Sequence, residues 1–315
     1  VGETLFDTAA QSVMPMVVGS GDLSKANGRL YAIETIMNNF VGAPLGGLLF
    51  AAAVALPFAG SAGCYLVAAG CLALMVGRYR PERDGEVPAP MRTDIAEGLR
   101  FLWNHRLLRT LAFMVGVMNL ATSATFAIFP LFAVDPGPMG LSEQGYGLFL
   151  ISFAVGSLIG SSLAPWMERR FGRSRSLAMA VVGNGVVCAA PLVPGVGGAA
   201  AAIVAGGVMV MVWNIITVSL RQRITPEHLM GRVNAGYRLL AWGTLPIGAA
   251  LGGFLAEALS LRWVFGLAGA GSLLLLGCMS VVTDATMEKA ESAVEPPAYH
   301  SSVEPPPPDS PPPPS

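Results

Sequence analysis

The feature that most constrains this chain is where its charges are missing. Residues 110–134, 144–167, 176–220, 239–256 and 263–283 contain no Asp, Glu, Lys or Arg, and residues 30–77 contain only Glu34. A helix needs roughly 20 apolar residues to cross a hydrocarbon core about 30 Å thick. Four of these runs are sized for one crossing each. Run 176–220 is long enough for two, with a break at Pro191, Pro194 and Gly195, and so is run 30–77, with a break near Pro57 and Gly60. A transmembrane barrel would instead alternate in strands of about ten residues. The sequence predicts a polytopic, all-α membrane protein.

Composition closes other routes. Only 12% of residues are charged and 53% are hydrophobic. The charged share is about half the roughly 25% of an average soluble domain, and the balance is the reverse of a disordered chain's. A net charge of −1 gives no electrostatic reason to expect nucleic acid as a partner. Cys64, Cys71, Cys188 and Cys278 fall inside expected spans without C-x-x-C spacing, and His105, His228 and His300 are scattered. No metal and no other cofactor is expected from such a set. No nucleophile elbow, zincin or Walker-type motif occurs, so an enzyme is not expected and nucleotide hydrolysis cannot drive the chain from within.

Four regions follow from the pattern. Residues 1–77 read as three spans, near 4–19, 28–56 and 61–77. Residues 78–109 are a basic, Pro-containing linker in which Ile95, Leu99, Leu102, Trp103 and Leu107 recur at helical spacing. They predict a basic amphipathic helix over 93–108 lying on the membrane. Residues 110–283 read as six more spans. Residues 284–315 are dense in proline and are expected to be a disordered tail. With strict alternation of spans, every Lys and Arg except Arg262 falls on one side. The positive-inside rule makes that side cytoplasmic, and places the tail there too, in a multi-pass protein of the plasma membrane.

The chain also repeats itself. Gly42-Ala-Pro-Leu-Gly-Gly-Leu-Leu49 matches Gly248-Ala-Ala-Leu-Gly-Gly-Phe-Leu255. Upstream, Leu23 pairs with Leu229 at the same offset, and Asn27 with Asn234 within one residue. Two equivalent spans running in the same direction imply parallel structural repeats, a transporter architecture. These stretches, with Gly2-Glu-Thr-Leu-Phe-Asp-Thr-Ala-Ala-Gln11 and Arg221-Gln-Arg-Ile-Thr-Pro-Glu-His-Leu-Met-Gly-Arg-Val233, resemble a major facilitator superfamily permease. The likeness is to its exporter branch, the enterobactin exporter and transmembrane secretion effector group, and covers nearly all of residues 1–283. It implies a helical bundle of which nine spans are present, spans 4–12 of twelve, in a chain truncated at its N-terminus. The superfamily's span 5 carries a G-P-x-x-G-G pattern in proton antiporters. Here Ala43 stands at the proline position, Pro44 follows, and Gly46 and Gly47 are kept. The superfamily's cytoplasmic loop motif resembles Glu168-Arg-Arg-Phe-Gly-Arg173, with the acid displaced by one position.

Candidate functional residues fall into three groups. Gly42, Pro44, Gly46, Gly47, Gly248, Gly252 and Gly253 are read as a helix-crossing motif at which the halves rock, static packing being the alternative. Glu168, Arg169, Gly172 and Arg173 form the loop motif. Charges within spans are costly and mark pathways, so Glu34 and Asp7 are the proton-coupling candidates. Each has an amide one turn on, Asn38 and Gln11. A structural latch to a basic residue is the alternative role. Asn119, Ser123, Trp213, Asn214, Arg238 and Trp242 are the other candidates to face a substrate cavity. The expected function is secondary, proton-coupled export of a small amphipathic or siderophore-like molecule by alternating access, by a monomer in the bilayer. The alternative is a non-transporting scaffold or inactive paralogue.

Overall fold

The computed structural model describes residues 22–37, 55–74, 91–226 and 229–294, with the single positions 14, 18, 49 and 53. Asp7, Gln11, Asn38, Gly42, Pro44, Gly46 and Gly47 lie outside the described residues, as do the expected span at 4–19 and the chain after 294. The described residues are helical, with no strand among them. The elements are α1 (Leu23–Thr35), α2 (Leu56–Ala73), α3 (Met91–Asn104), α4 (Arg106–Ala133), α5 (Glu143–Phe171), α6 (Arg173–Ala189), α7 (Val196–Ile224), α8 (Met230–Ala258), α9 (Leu261–Leu274) and α10 (Asp284–Ser292). Turns of 3-10 helix extend α6 to Leu192 and α9 to Ser280.

Among the described residues, six helices are long and apolar enough to cross a membrane: Arg106–Ala133, Glu143–Phe171, Arg173–Leu192, Val196–Ile224, Met230–Ala258 and Leu261–Ser280. They are the six spans expected between 110 and 283. Their ends follow local chemistry. Ser142 caps α5 by accepting the Gly145 N–H at 3.1 Å. Gly172, at φ +82, ends α5 and opens α6, and Gly195, at φ +79, opens α7; only glycine adopts such backbone without strain. Two apolar clusters fill the interior. The larger runs from Leu102 through Met114, Leu177 and Trp213 to Met287, and the smaller surrounds Phe129, Phe132 and Phe265.

The packing is by close crossings of small residues. On α5, a Cβ added at Gly156 would lie 2.2 Å from the Val204 carbonyl oxygen of α7, and one at Gly160 2.4 Å from that of Val208. On α8, a Cβ at Gly248 would meet the Leu120 oxygen of α4 at 2.3 Å, and one at Gly252 the Ala124 oxygen at 2.5 Å. Backbones that touch maximise dispersion where lipid offers no hydrophobic driving force between helices. Two of the repeated glycines expected as a helix-crossing motif make such a crossing. Gly248 and Gly252 pack α8 against α4, and Gly253 faces open space.

Two readings are corrected. The expected 93–108 helix is broken at His105, whose extended backbone starts α4 and whose ring accepts the Leu108 N–H at 3.4 Å. The apolar side of α3 meets protein rather than membrane alone. Leu102 is fully buried, Leu99 abuts Gly236 of α8, and a Cβ on Gly98 would meet the Arg232 carbonyl oxygen at 2.4 Å. The stretch 284–315, expected to be disordered, begins with helix α10. Thr283 and Thr286 form a reciprocal capping box at its start, and Met287 is fully buried. Lastly, α2 starts about a turn before the expected 61–77 span, and every side chain described in it is exposed.

Candidate transport site

The site lies where α1 meets α5 and α7, with α8 alongside α7. α1 presents Leu23, Ser24, Asn27, Gly28, Tyr31 and Thr35 at helical spacing. Its contact with α5 is so close that a Cβ on Gly28 would lie 2.7 Å from the Ser161 carbonyl oxygen. Asn27, 1% exposed, donates from Nδ2 to Ser219 Oγ at 3.0 Å and to Gln222 Oε1 at 2.7 Å, both on α7. Asn234 of α8 is also fully buried, and its Oδ1 accepts from Arg221 Nε at 2.7 Å. The two asparagines related by the sequence repeat therefore grip adjacent residues of one helix end.

Arg221 is the unexpected member. Its side chain is buried, and its guanidinium lies over the Tyr237 ring at 4.1 Å. A cation stacked on an aromatic face in a dry site gains about 2 kcal/mol or more, which helps offset its desolvation. Glu34 is half-buried one turn beyond Tyr31 on α1. Arg238 stacks on Trp242 at 4.2 Å, as their spacing of four residues allows, and Trp242 is half exposed. The Trp213 ring N–H has no hydrogen-bond partner among the described residues.

Other expected cavity residues are engaged in helix contacts. Asn119 Nδ2 donates to the Ala241 carbonyl at 2.8 Å and Ser123 Oγ to that of Leu245 at 2.7 Å. Both fasten α4 to α8 beside the Gly248 crossing. Trp213, expected to face a cavity, is 1% exposed in the apolar core. Asn214 Nδ2 donates to Val210 O of its own helix at 3.1 Å. Asn184, fully inside, bonds Thr122 of α4 and Ser272 of α9, each at 3.0 Å, and ties three helices together. Residues missed in the sequence are Asn27, Tyr31, Arg221, Gln222 and Tyr237. Arg221 extends the four-residue spacing of Trp213 and Thr217, and that signal could have found it.

The loop motif is a separate, ionic cluster. Arg173 makes a two-pronged bond to Glu291 of α10, the second prong at 3.2 Å. Arg223 lies 3.6 Å from Glu291 and 3.7 Å from Glu168. Ser174 N donates to Asp284 Oδ1 at 2.9 Å, and a Cβ on Gly172 would intrude on that carboxylate at 2.9 Å. Arg169 is exposed. No group of His, Cys, Asp and Glu among the described residues could hold a metal ion.

Comparison with known proteins matches this architecture. The multidrug efflux pump Tap of Mycolicibacterium fortuitum is 29% identical over 290 residues, 87% of this chain and 67% of the pump. Tap of Mycobacterium tuberculosis is 29% identical over 277 residues, 82% of this chain and 62% of the pump. A solved structure of a bacterial homologue of the iron transporter ferroportin, in an outward-facing state, shares the fold with a TM-score of 0.58. It is 21% identical, and the match covers 84% of this chain and 65% of that one. The chain thus spans about two thirds of the length of the relatives it matches. The family model described as transmembrane secretion effector matches residues 1–306, and the chain belongs to that family of the major facilitator superfamily.

Proposed function

We propose that the chain is part of a secondary exporter that moves small amphipathic molecules outward across the plasma membrane by alternating access, coupled to protons. Relatives that are efflux pumps support export. The observation that carries the reading is the buried polar contact of α1 with the end of α7, where Asn27 bonds Ser219 and Gln222, with Glu34 two turns further along α1. Glu34 is the one charged residue between 30 and 77, and its protonation would remove a charge beside this contact, which is how a proton can bias a two-state element. Nine spans in this chain, equivalent to spans 4–12 of the superfamily's twelve, and a basic, cytoplasmic side that includes the C-terminal tail belong to the same proposal. So do its four regions, 1–77, 78–109, 110–283 and 284–315, and a monomeric state.

Glu34→Gln keeps the shape and fixes the neutral state. In the protein reconstituted into vesicles, pH-driven efflux of an amphipathic dye should fall by about a hundredfold or more, the usual scale for losing a positioned proton-transfer group. Substrate counterflow, which needs no net proton movement, should persist. Wild-type coupling in the Gln variant would make Glu34 structural and turn the search to Asp7.

A further inference from the structure

A cavity of about 670 Å³ opens between α3, α4, α8 and the 3-10 turn that ends α9, and shares no lining residue with the polar contact of α1 and α7. We infer that this cavity is a binding site for an anionic phospholipid of the cytoplasmic leaflet, holding one acyl chain with its headgroup at Arg109. The inference rests on the orientation proposed above. Three observations carry it. The cavity follows α4 from Arg109 to Leu120, a depth of about 16 Å at 1.5 Å per residue, with apolar walls over most of that length. Its rim is at headgroup level. Trp103, 59% exposed, stands beside it, and indole rings collect at the membrane interface. The rim also holds a positioned cation. Arg109 Nη1 donates to the Trp103 carbonyl at 3.1 Å, which tethers the guanidinium at the mouth, and among the described residues no carboxylate forms a salt bridge with it. Phe113, also 59% exposed, leaves the outer side open to lipid. Basic pockets between helices on the cytoplasmic side suit anionic headgroups, and Arg109 disfavours a cationic amphiphile.

The test is photolabelling of the full chain in phosphatidylcholine vesicles with a phosphatidylglycerol that carries a diazirine in its acyl chain. Label should map to the peptides around Phe113 and Cys278. Unlabelled phosphatidylglycerol should compete about fivefold better than phosphatidylcholine, the contribution of one Arg near an anionic surface. Arg109→Gln should erase that preference while keeping the label. Gly116→Leu should displace the label, because Gly116 lines the cavity and has room for a Cβ, its nearest neighbour being Thr244 at 3.6 Å. Labelling at Leu267 and Leu274, exposed on α9, should stay constant and report an intact fold. Equal competition by phosphatidylcholine would show a nonspecific apolar groove and overturn the proposal. Absence of label at these peptides would show that protein or substrate fills the cavity and would overturn it too. Neither result depends on efflux, so it is distinguishable from a failure of Glu34 coupling.

Discussion

Glycine at 248 and 252 is dictated by how closely α8 lies on α4, since any Cβ would sit within 2.5 Å of a backbone oxygen. Gly253, one residue along, meets nothing within 4 Å. Gly248→Leu should therefore cost about 1–3 kcal/mol through overpacking and lower the unfolding midpoint in detergent. Gly253→Leu should leave that midpoint unchanged. A similar fall for both variants would refute the crossing. His105 gives a second residue-scale prediction. Burial holds its imidazole below the usual histidine range, against a smaller opposing effect of a backbone hydrogen bond. The neutral ring is the form that can accept the Leu108 N–H through Nδ1. A folded-state pKa below the unfolded value of about 6.5 means that the stabilisation is complete above that pH and is lost as pH falls towards the folded pKa. The protection of the Leu108 amide, its exchange measured against the intrinsic rate at each pH, should fall on that descent, and His105→Asn, which caps without titrating, should remove the pH dependence. Chemistry at this scale was only partly legible in the sequence. Glu34 is an isolated charge in an apolar run and stands out. Arg221 sits at a span end, where the charge rule assigns arginine to the aqueous loop, and its four-residue spacing from Thr217 is the one sequence signal that it lies inside.

At the scale of elements, uncharged length located all six spans of the second half, because the cost of burying charge in lipid leaves little freedom. Interruptions were harder to see. The break at His105 depends on a ring nitrogen reaching one amide, and apolar periodicity runs through it unmarked. Helix α10 was hidden for a different reason. The prolines that dominate the composition of 284–315 lie at 296 and beyond, whereas 284–292 contains none. Its capping box uses threonine at both ends rather than the Glu or Gln usually sought. What holds α10 is the two-pronged bond of Arg173 to Glu291, with Arg223 alongside. Hydrogen bonds to charged groups are worth about 1.5–3 kcal/mol. Glu291→Gln should thus raise amide exchange in α10 by roughly tenfold or more while leaving α4 and α7 protected. Unchanged exchange in α10 would mean that Met287 and the capping box alone secure it.

At the scale of the whole molecule, the sequence repeat pointed to equivalent spans in the two halves, and it reappears as two asparagines holding one helix end. Asn27 reaches α7 from α1 and Asn234 from α8. In the proposed two-half organisation their roles differ, because α7 and α8 fall in one half and α1 in the other. The Asn234–Arg221 bond can persist through a transport cycle. The bonds of Asn27 to Ser219 and Gln222 cross between halves, and so does the Gly28–Ser161 approach. In the proposed alternating-access cycle, these are the contacts that must part when the cavity opens to the basic side. That argument yields a direct test. With the native cysteines replaced by serine, Asn27→Cys and Ser219→Cys would place two thiols across the interface, where the native side-chain atoms stand 3.0 Å apart. A short, reducible bifunctional thiol reagent should join them and stop efflux, and reductant should restore it to the level of the unlinked double variant. The same reagent applied to the pair Thr122→Cys and Asn184→Cys, whose native side chains face each other within one half, should leave efflux running. Export that continues with the two thiols at positions 27 and 219 joined would make the α1–α7 contact a fixed joint and move the hinge elsewhere.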